Sequence, residues 1–255
     1  MYGALLVSAL FYAFTPAQAG PALCPPDRID TAAQVDYVHD GDTVRLKDGR
    51  KIRLIGIDAP ELARDNRPAQ AYARQARDAL RQQIRTANGR LSLRYGSQRD
   101  DKYQRTLAHL FLPNGENLQA WLIARGLAKA FTTPPNDRYS DCYRRIEKTA
   151  MQQHLGIWSL ARYQPMAPEQ LGPRDSGFRR IQGRVTRVIQ GNKGLSLYLG
   201  PRLLVHIRSA DLKHFSLPQL QQLQGKTIRV RGWIHPGKKH FFMALRHPDA
   251  LESLN

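Results

Sequence analysis

Residues 40–61, DGDTVRLKDGRKIRLIGIDAPE, decide how the N-terminal half of this chain folds. Asp40-Gly41 lies between VDYV and TVRL, and Asp48-Gly49 between TVRL and KIRLIGI. Each Asp-Gly pair reads as a tight hairpin turn whose glycine accepts positive φ. Three short strands therefore meander in sequence. Asp42 stands just past the first turn and Asp58 at the end of the third strand, so the meander brings both to one edge of the sheet. Two carboxylates from adjacent strands supply the charge that a hard cation such as calcium requires, without a dedicated calcium loop.

Arg53 lies inside KIRLIGI, where Ile52 and Leu54 occupy one face and Ile55 and Ile57 the other, the pattern of a strand covered on both sides. A guanidinium there is costly unless it meets a carboxylate or a phosphate. Either partner satisfies it, a structural carboxylate within a barrel or a bound phosphate, and the downstream DKYQRTLAHL favours the phosphate. With Glu61 close by, the stretch reads as a metal-dependent phosphodiester site.

The whole chain fits that reading. Its 255 residues suffice for one large or two modest domains. Lys and Arg total 39 against 21 Asp and Glu, a net charge of +18, so a polyanion is the first partner to consider, ahead of an anionic membrane surface. Residues 176–255 carry 14 basic and 3 acidic side chains, making the C-terminal third the more electropositive part.

GALLVSALFYAF near the N-terminus is apolar but short for a bilayer span, and Ala17-Gln18-Ala19 fits a leader cleavage site. Residues 1–19 are expected to be a signal peptide, 20–33 an extended segment, and the product secreted or periplasmic with no lasting membrane association. An uncleaved anchor is the alternative, since no basic residues precede the run. The two cysteines, Cys24 and Cys142, both follow the cleavage site. An even count in an exported chain suggests one disulfide, with two unrelated thiols as the other possibility.

Beyond Glu61, a helix is expected from Pro68, with Asn66 as its cap, to Ala87. RLSLRYG and RTLAHLF alternate as strands, and two further helices are expected, around Trp121 and over about Tyr139 to Leu155. Three strands, a helix, two strands and two helices match a five-stranded OB-type barrel carrying three helices, over residues 34–158. Residues 159–175 read as a linker, and 176–255 repeat the strand and helix order as a second, smaller OB-like barrel. The fold class is thus β-rich α+β.

DGDT, the strand arginine, IDAPE, DKYQR, GLAKAF and LGIWS, in this order, resemble the staphylococcal nuclease-like (thermonuclease) family. The resemblance implies an OB-type barrel and calcium-dependent hydrolysis of DNA and RNA, with little sequence preference and 3′-phosphate products. It implies Asp42 and Asp58 as calcium carboxylates, Ala59 as a backbone-carbonyl ligand and Glu61 as the group that orients or deprotonates water. It implies Arg53 and Arg105 as the phosphate grip, with Lys102 and Tyr103 near the nucleotide. Two positions depart from the family. Ala59 replaces the threonine of the best-known member, and Gln104 stands where glycine is usual, in a turn expected to need a backbone shape that Gln disfavours, such as positive φ. A nucleic-acid-binding protein on a retired nuclease scaffold is the alternative function.

The chemistry agrees with those roles. A phosphodiester is an anion, so water attack requires its oxygens to be neutralised before and during displacement. Arginines offer bidentate hydrogen bonds to phosphate, and a carboxylate can take a proton from water. The second unit has no such constellation. Its histidines lack zinc-ligand spacing, while Phe178, Tyr198, Trp233, Phe241 and Phe242 suit either its core or a stacking groove for single strands. Its charge favours a nucleic-acid-binding accessory role. Protein partners are not legible.

Overall fold

Strands β1 (Thr31–Val38), β2 (Thr43–Leu46) and β3 (Lys51–Leu54) form the expected meander in the computed structural model, which describes residues 23–173 and 175–254. Residues 1–19, expected to be a signal peptide, lie outside the described residues. Gly49 closes the second turn at φ +90, as the Asp-Gly pair requires. Gly41 does not take positive φ; it is needed for space. A Cβ there would stand 2.7 Å from the Ala59 Cβ and 2.8 Å from the Ala76 Cβ.

KIRLIGI is two strands rather than one. The chain breaks at Ile55, Gly56 takes φ +82 against the Tyr143 ring, and β4 (Gly56–Asp58) leaves the barrel. The backbone groups exposed by the break are met by buried Gln119, which donates to the Ile55 and Ala108 carbonyls and accepts from the Leu110 amide. Helix α1 (Ala73–Thr86) buries Ala73, Ala76, Leu80 and Ile84. It starts five residues after Pro68. Tyr72, at φ +69, forms its N-terminal boundary, and Gln70 bonds to the Glu61 backbone instead of joining the helix.

β5 (Arg90–Asp100) and β6 (Thr106–Phe111) complete a closed ring in the order β1-β2-β3-β6-β5, with β3 and β6 parallel. α2 (Leu118–Ala124) is capped by Asn117, whose oxygen accepts from the Ala120 amide while its nitrogen donates to the Cys24 carbonyl. β7 (Lys129–Phe131), hidden in GLAKAF, pairs antiparallel with β4. α3 (Ser140–Gln152) carries Cys142, which is disulfide-bonded to Cys24. The N-terminal segment is also held by ion pairs from Arg94 to Asp27 and Asp30.

Within the expected linker, residues 159–173 hold short 3-10 turns and β8 (Pro165–Met166), and they bury Tyr163, Pro168 and Leu171. β9 (Gly177–Gly191), β10 (Gly194–Leu199), β11 (Leu203–Arg208), short helix α4 (Leu217–Gln221), β12 (Thr227–His235) and β13 (Phe241–Leu245) follow. Pairing of β12 with β9 closes the ring β9-β10-β11-β13-β12, and β11 and β13 are parallel. This is the same ring order as in the first barrel. β14 (Leu251–Ser253) extends β12 at one edge.

Each barrel encloses its own apolar core, and a third cluster, Ala150, Ile157, Trp158, Tyr163 and Phe178, lies between them. Phe178 and Trp233 belong to neither barrel's own core. They line the junction, where Trp233 meets Phe131 edge-on with ring centres 4.6 Å apart. Several arginines of the second unit are engaged at or near that junction: Arg231 with Glu147, Arg229 with Glu252, and Arg180 with the Tyr163 carbonyl. The positive charge left free is therefore smaller than the composition suggests. Among the described residues no helix is long and apolar enough to cross a membrane.

Candidate active site

The turn between β1 and β2 presents Asp42 inward. Its amide donates to Asp40 Oδ1 at 3.0 Å, and its own carboxylate accepts from Thr43 Oγ1 at 3.1 Å and the Ala59 amide at 2.9 Å. The last bond joins this turn to the end of β4 and brings Asp42 and Ala59 together. Burial pushes the Asp42 carboxyl up to about 7; Arg53 opposes the shift, and Asp40 and Asp58 add to it.

Arg53 projects from β3 opposite Thr43. Its Nη2 stands 3.0 Å from Asp42 Oδ2 and 3.7 Å from Asp58 Oδ1, and the guanidinium also donates to the Leu54 and Ile57 carbonyls. The strand arginine is thus satisfied by carboxylates and carbonyls together, while still lining two cavities. Asp58 faces Lys129 across the β4–β7 pair, and the two side chains form an ion pair. Lys129 is buried, with its ammonium 4.9 Å from the Phe178 ring centre and 5.2 Å from that of Trp233. Glu61 is exposed as a residue, but the protein crowded around its carboxyl, and then Asp40 and Asp58, raise it above the usual range.

Arg105 is fixed by Asp101, which accepts from its Nε at 2.8 Å and from its backbone amide at 3.0 Å. Gln104 holds φ +61, so the turn keeps the left-handed shape that glycine would adopt without strain. Arg53 and Arg105 line one cavity of about 210 Å³, which Phe131 also borders. Lys102 and Tyr103 project from the same turn, Tyr103 being 67% exposed. Together with Arg53 and Asp58 they line a second, larger cleft. Arg53, Asp58, Lys102, Tyr103 and Arg105 therefore line two cavities that share Arg53 and Phe131, whereas Asp42, Ala59 and Glu61 line neither; Asp42 is tied to the cavity wall through Arg53.

The sequence reading missed Asp40 and Lys129. Asp40 was visible as the first carboxylate of Asp-Gly-Asp. Lys129 gave no signal, because its role depends on the pairing of two three-residue strands. Among the described residues no three His, Cys, Asp or Glu side chains converge as a ready metal cage. The charge nevertheless suits a divalent cation. Asp40 and Asp58 each raise the carboxyls of both Asp42 and Glu61, while Arg53 opposes both shifts and Lys129 opposes that of Glu61. Asp42, Asp58 and the Ala59 carbonyl are the oxygen donors available to it, with solvent completing the six to eight ligands that calcium takes.

The sequence model of the family described as "Staphylococcal nuclease homologue" matches residues 51–160. The chain is 39% identical over 127 residues to a thermonuclease of Staphylococcus intermedius, covering 49% of this chain and 74% of that protein. It is 36% identical over 129 residues to the thermonuclease of Staphylococcus hyicus, covering 49% and 75%. Against the endonuclease YncB of Bacillus subtilis it is 32% identical over 133 residues, covering 51% and 62%.

Proposed function

The chain belongs to the staphylococcal nuclease family and is a nuclease, and from that premise we propose that it is an exported, calcium-dependent enzyme of low sequence specificity. The observation that carries this reading is the convergence of Asp42, Asp58 and Arg53 at one point, with Arg105 across the cavity that Arg53 lines.

Arg53 and Arg105 bind non-bridging oxygens of the scissile phosphate from two sides of the cavity. Asp101 takes one edge of the Arg105 guanidinium and fixes its plane, so little rotamer freedom remains to be lost on binding. Charge on the phosphate oxygens rises toward the transition state, and so do these hydrogen bonds in strength. Glu61, whose carboxyl is raised by burial and by Asp40 and Asp58, is the base available to take a proton from the attacking water. When bound, calcium would be held by Asp42, Asp58 and the Ala59 carbonyl and would supply neutralising charge and an activated water. Attack on phosphorus opposite the 5′ oxygen breaks the P–O5′ bond, the water's proton passing to Glu61 and the departing O5′ taking up a proton from solvent. The products are a 3′-phosphate and a 5′-hydroxyl. Lys102 and Tyr103 flank the nucleotide.

Export is supported by the leader-like residues 1–19 and by the Cys24–Cys142 disulfide, which suits an oxidising compartment. The test is digestion of labelled DNA and RNA strands in calcium or in chelator, with mass analysis of the ends. Calcium-dependent release of 3′-phosphates is expected. Cleavage that persists in chelator, or 5′-phosphate ends, would contradict the proposal.

A further inference from the structure

The outward face of the second barrel is one continuous sheet surface with two fates. On β9 and β12 its side chains, Phe178, Arg231 and Trp233 among them, are pressed against the first domain. On β13 and β11 the same face stays open. Phe242, Ala244 and Arg246 alternate outward with buried Met243 and Leu245, and His206 of β11 stands beside them in register with Ala244.

This open face meets the active site. The cleft lined by Arg53, Asp58, Lys102 and Tyr103 continues between the domains to Trp233, Phe242 and Arg246, enclosing about 890 Å³. A second hollow of about 670 Å³ shares Phe242, Ala244 and Arg246 with it and extends to Lys193 and His206. The track thus passes from the phosphate-binding arginine over two exposed aromatic rings, Tyr103 and Phe242, 67% and 37% exposed. Cations stand alongside it at Lys102, Arg246 and Lys193. The carboxylates on its walls are already engaged, Asp58 by Lys129 and Asp249 by His247 and Thr132.

We infer that the second barrel is part of the substrate site: its β11–β13 face binds the single strand that leaves the scissile phosphate, with a base stacked on Phe242 and a backbone phosphate on Arg246. Exposed rings favour unpaired bases, whose faces are free to stack, over duplex. The inference rests on the nuclease reading of the first domain. It adds a binding site beyond that domain and predicts that long single strands are preferred over short ones.

The test uses the full chain with Phe242→Ala and Arg246→Ala, singly and together. Arg246 is exposed and Phe242 is 37% exposed, and the circular dichroism and melting temperature of each variant are compared with the parent so that a folding defect is told apart from lost binding. Affinity for a long labelled single strand, measured in chelator so that no cleavage competes, should fall roughly tenfold or more for Phe242→Ala. Arg246→Ala should flatten the dependence of log affinity on log salt by about 0.7. In calcium, KM for the long strand should rise while cleavage of a dinucleotide stays as in the unaltered protein. Unchanged affinity for the long strand would overturn the inference, and equal losses on duplex would overturn the single-strand assignment. If the unaltered chain cleaves neither substrate in calcium, the nuclease reading fails, while the binding measurement in chelator still decides the groove.

Discussion

Arg231 of the second barrel and Glu147 of helix α3 form an ion pair inside the domain junction, where Glu147 has no exposure to solvent and Arg231 has 6%. The guanidinium also donates to the Ala130 carbonyl at 2.8 Å, while Glu147 accepts from the Ala130 amide at 2.8 Å. Ala130 adjoins Lys129, the partner of Asp58. The two barrels are thus joined by a buried charge pair that clasps the strand supporting the active site.

Removing one half of that pair leaves the other charge buried. Arg231→Ala should cost about 3–5 kcal/mol, read as a shift in the denaturant midpoint. The double replacement of Glu147→Leu with Arg231→Met should recover most of the loss. A single variant as stable as the parent would show that the junction opens in solution.

The same network sets a response to acid. Burial alone would raise Glu147, but Arg231 and Arg144 outweigh it and hold the carboxyl below its usual range. Glu252 is likewise lowered against its burial by Arg144, Arg180 and Arg229. A lowered carboxylate contributes stability that is present above its unfolded value, about 4.3, and is lost as pH falls through the folded value. The stability of the parent chain relative to the double variant, in which Glu147 is absent, should therefore be constant from neutral pH to about 5 and fall below about 4. Comparing the two chains cancels Asp42, whose raised carboxyl acts in the opposite sense. A difference independent of pH down to about 2.5 would contradict the network.

Gly41→Ala tests the packing behind the first turn. The added methyl would meet the Ala59 and Ala76 Cβ atoms at 2.7 and 2.8 Å, and it can be accommodated only by moving the Asp42 turn or helix α1. A loss of about 1–3 kcal/mol in stability is expected, with a drop in activity from displacement of Asp42. Unaltered melting and activity would mean that the turn is loose.

The Cys24–Cys142 bond spans a sequence separation of 118 and ties the N-terminal segment to α3. Replacing both with serine should lower stability by roughly 2–5 kcal/mol, as calorimetry can measure. No change, or two free thiols titrated in the unfolded chain without reductant, would count against the bond.

How much of this was legible depended on whether the signal was local. The meander was readable because Asp48-Gly49 is a local instruction and the apolar residues of TVRL and KIRL alternate around it. Asp42, Arg53 and Asp58 followed from that register. β4 and β7 were not readable, since three-residue strands carry no periodicity and their pairing joins residues 71 apart in sequence at Lys129 and Asp58. Gly41 was read as a turn glycine although its reason is the approach of Ala59 and Ala76. Arg231 looked like one more cation of a basic strand. Only the tertiary structure sets it against Glu147, and the same contact turns Phe178 and Trp233 from core or groove candidates into junction residues. The left-handed turn at Gln104 was legible as an expectation because the motif's usual glycine was missing.

In the proposed chemistry Arg53, Glu61 and Arg105 act on one phosphate beside Asp42 and Asp58. Its most direct test is the single-turnover cleavage rate of a labelled single strand in saturating calcium, for the parent chain beside Glu61→Gln and Arg105→Ala. Each variant, folded and still able to bind the strand, is expected to lose roughly a hundredfold or more in the cleavage step. Variants that cleave at the parent rate would place the chemistry elsewhere and contradict it.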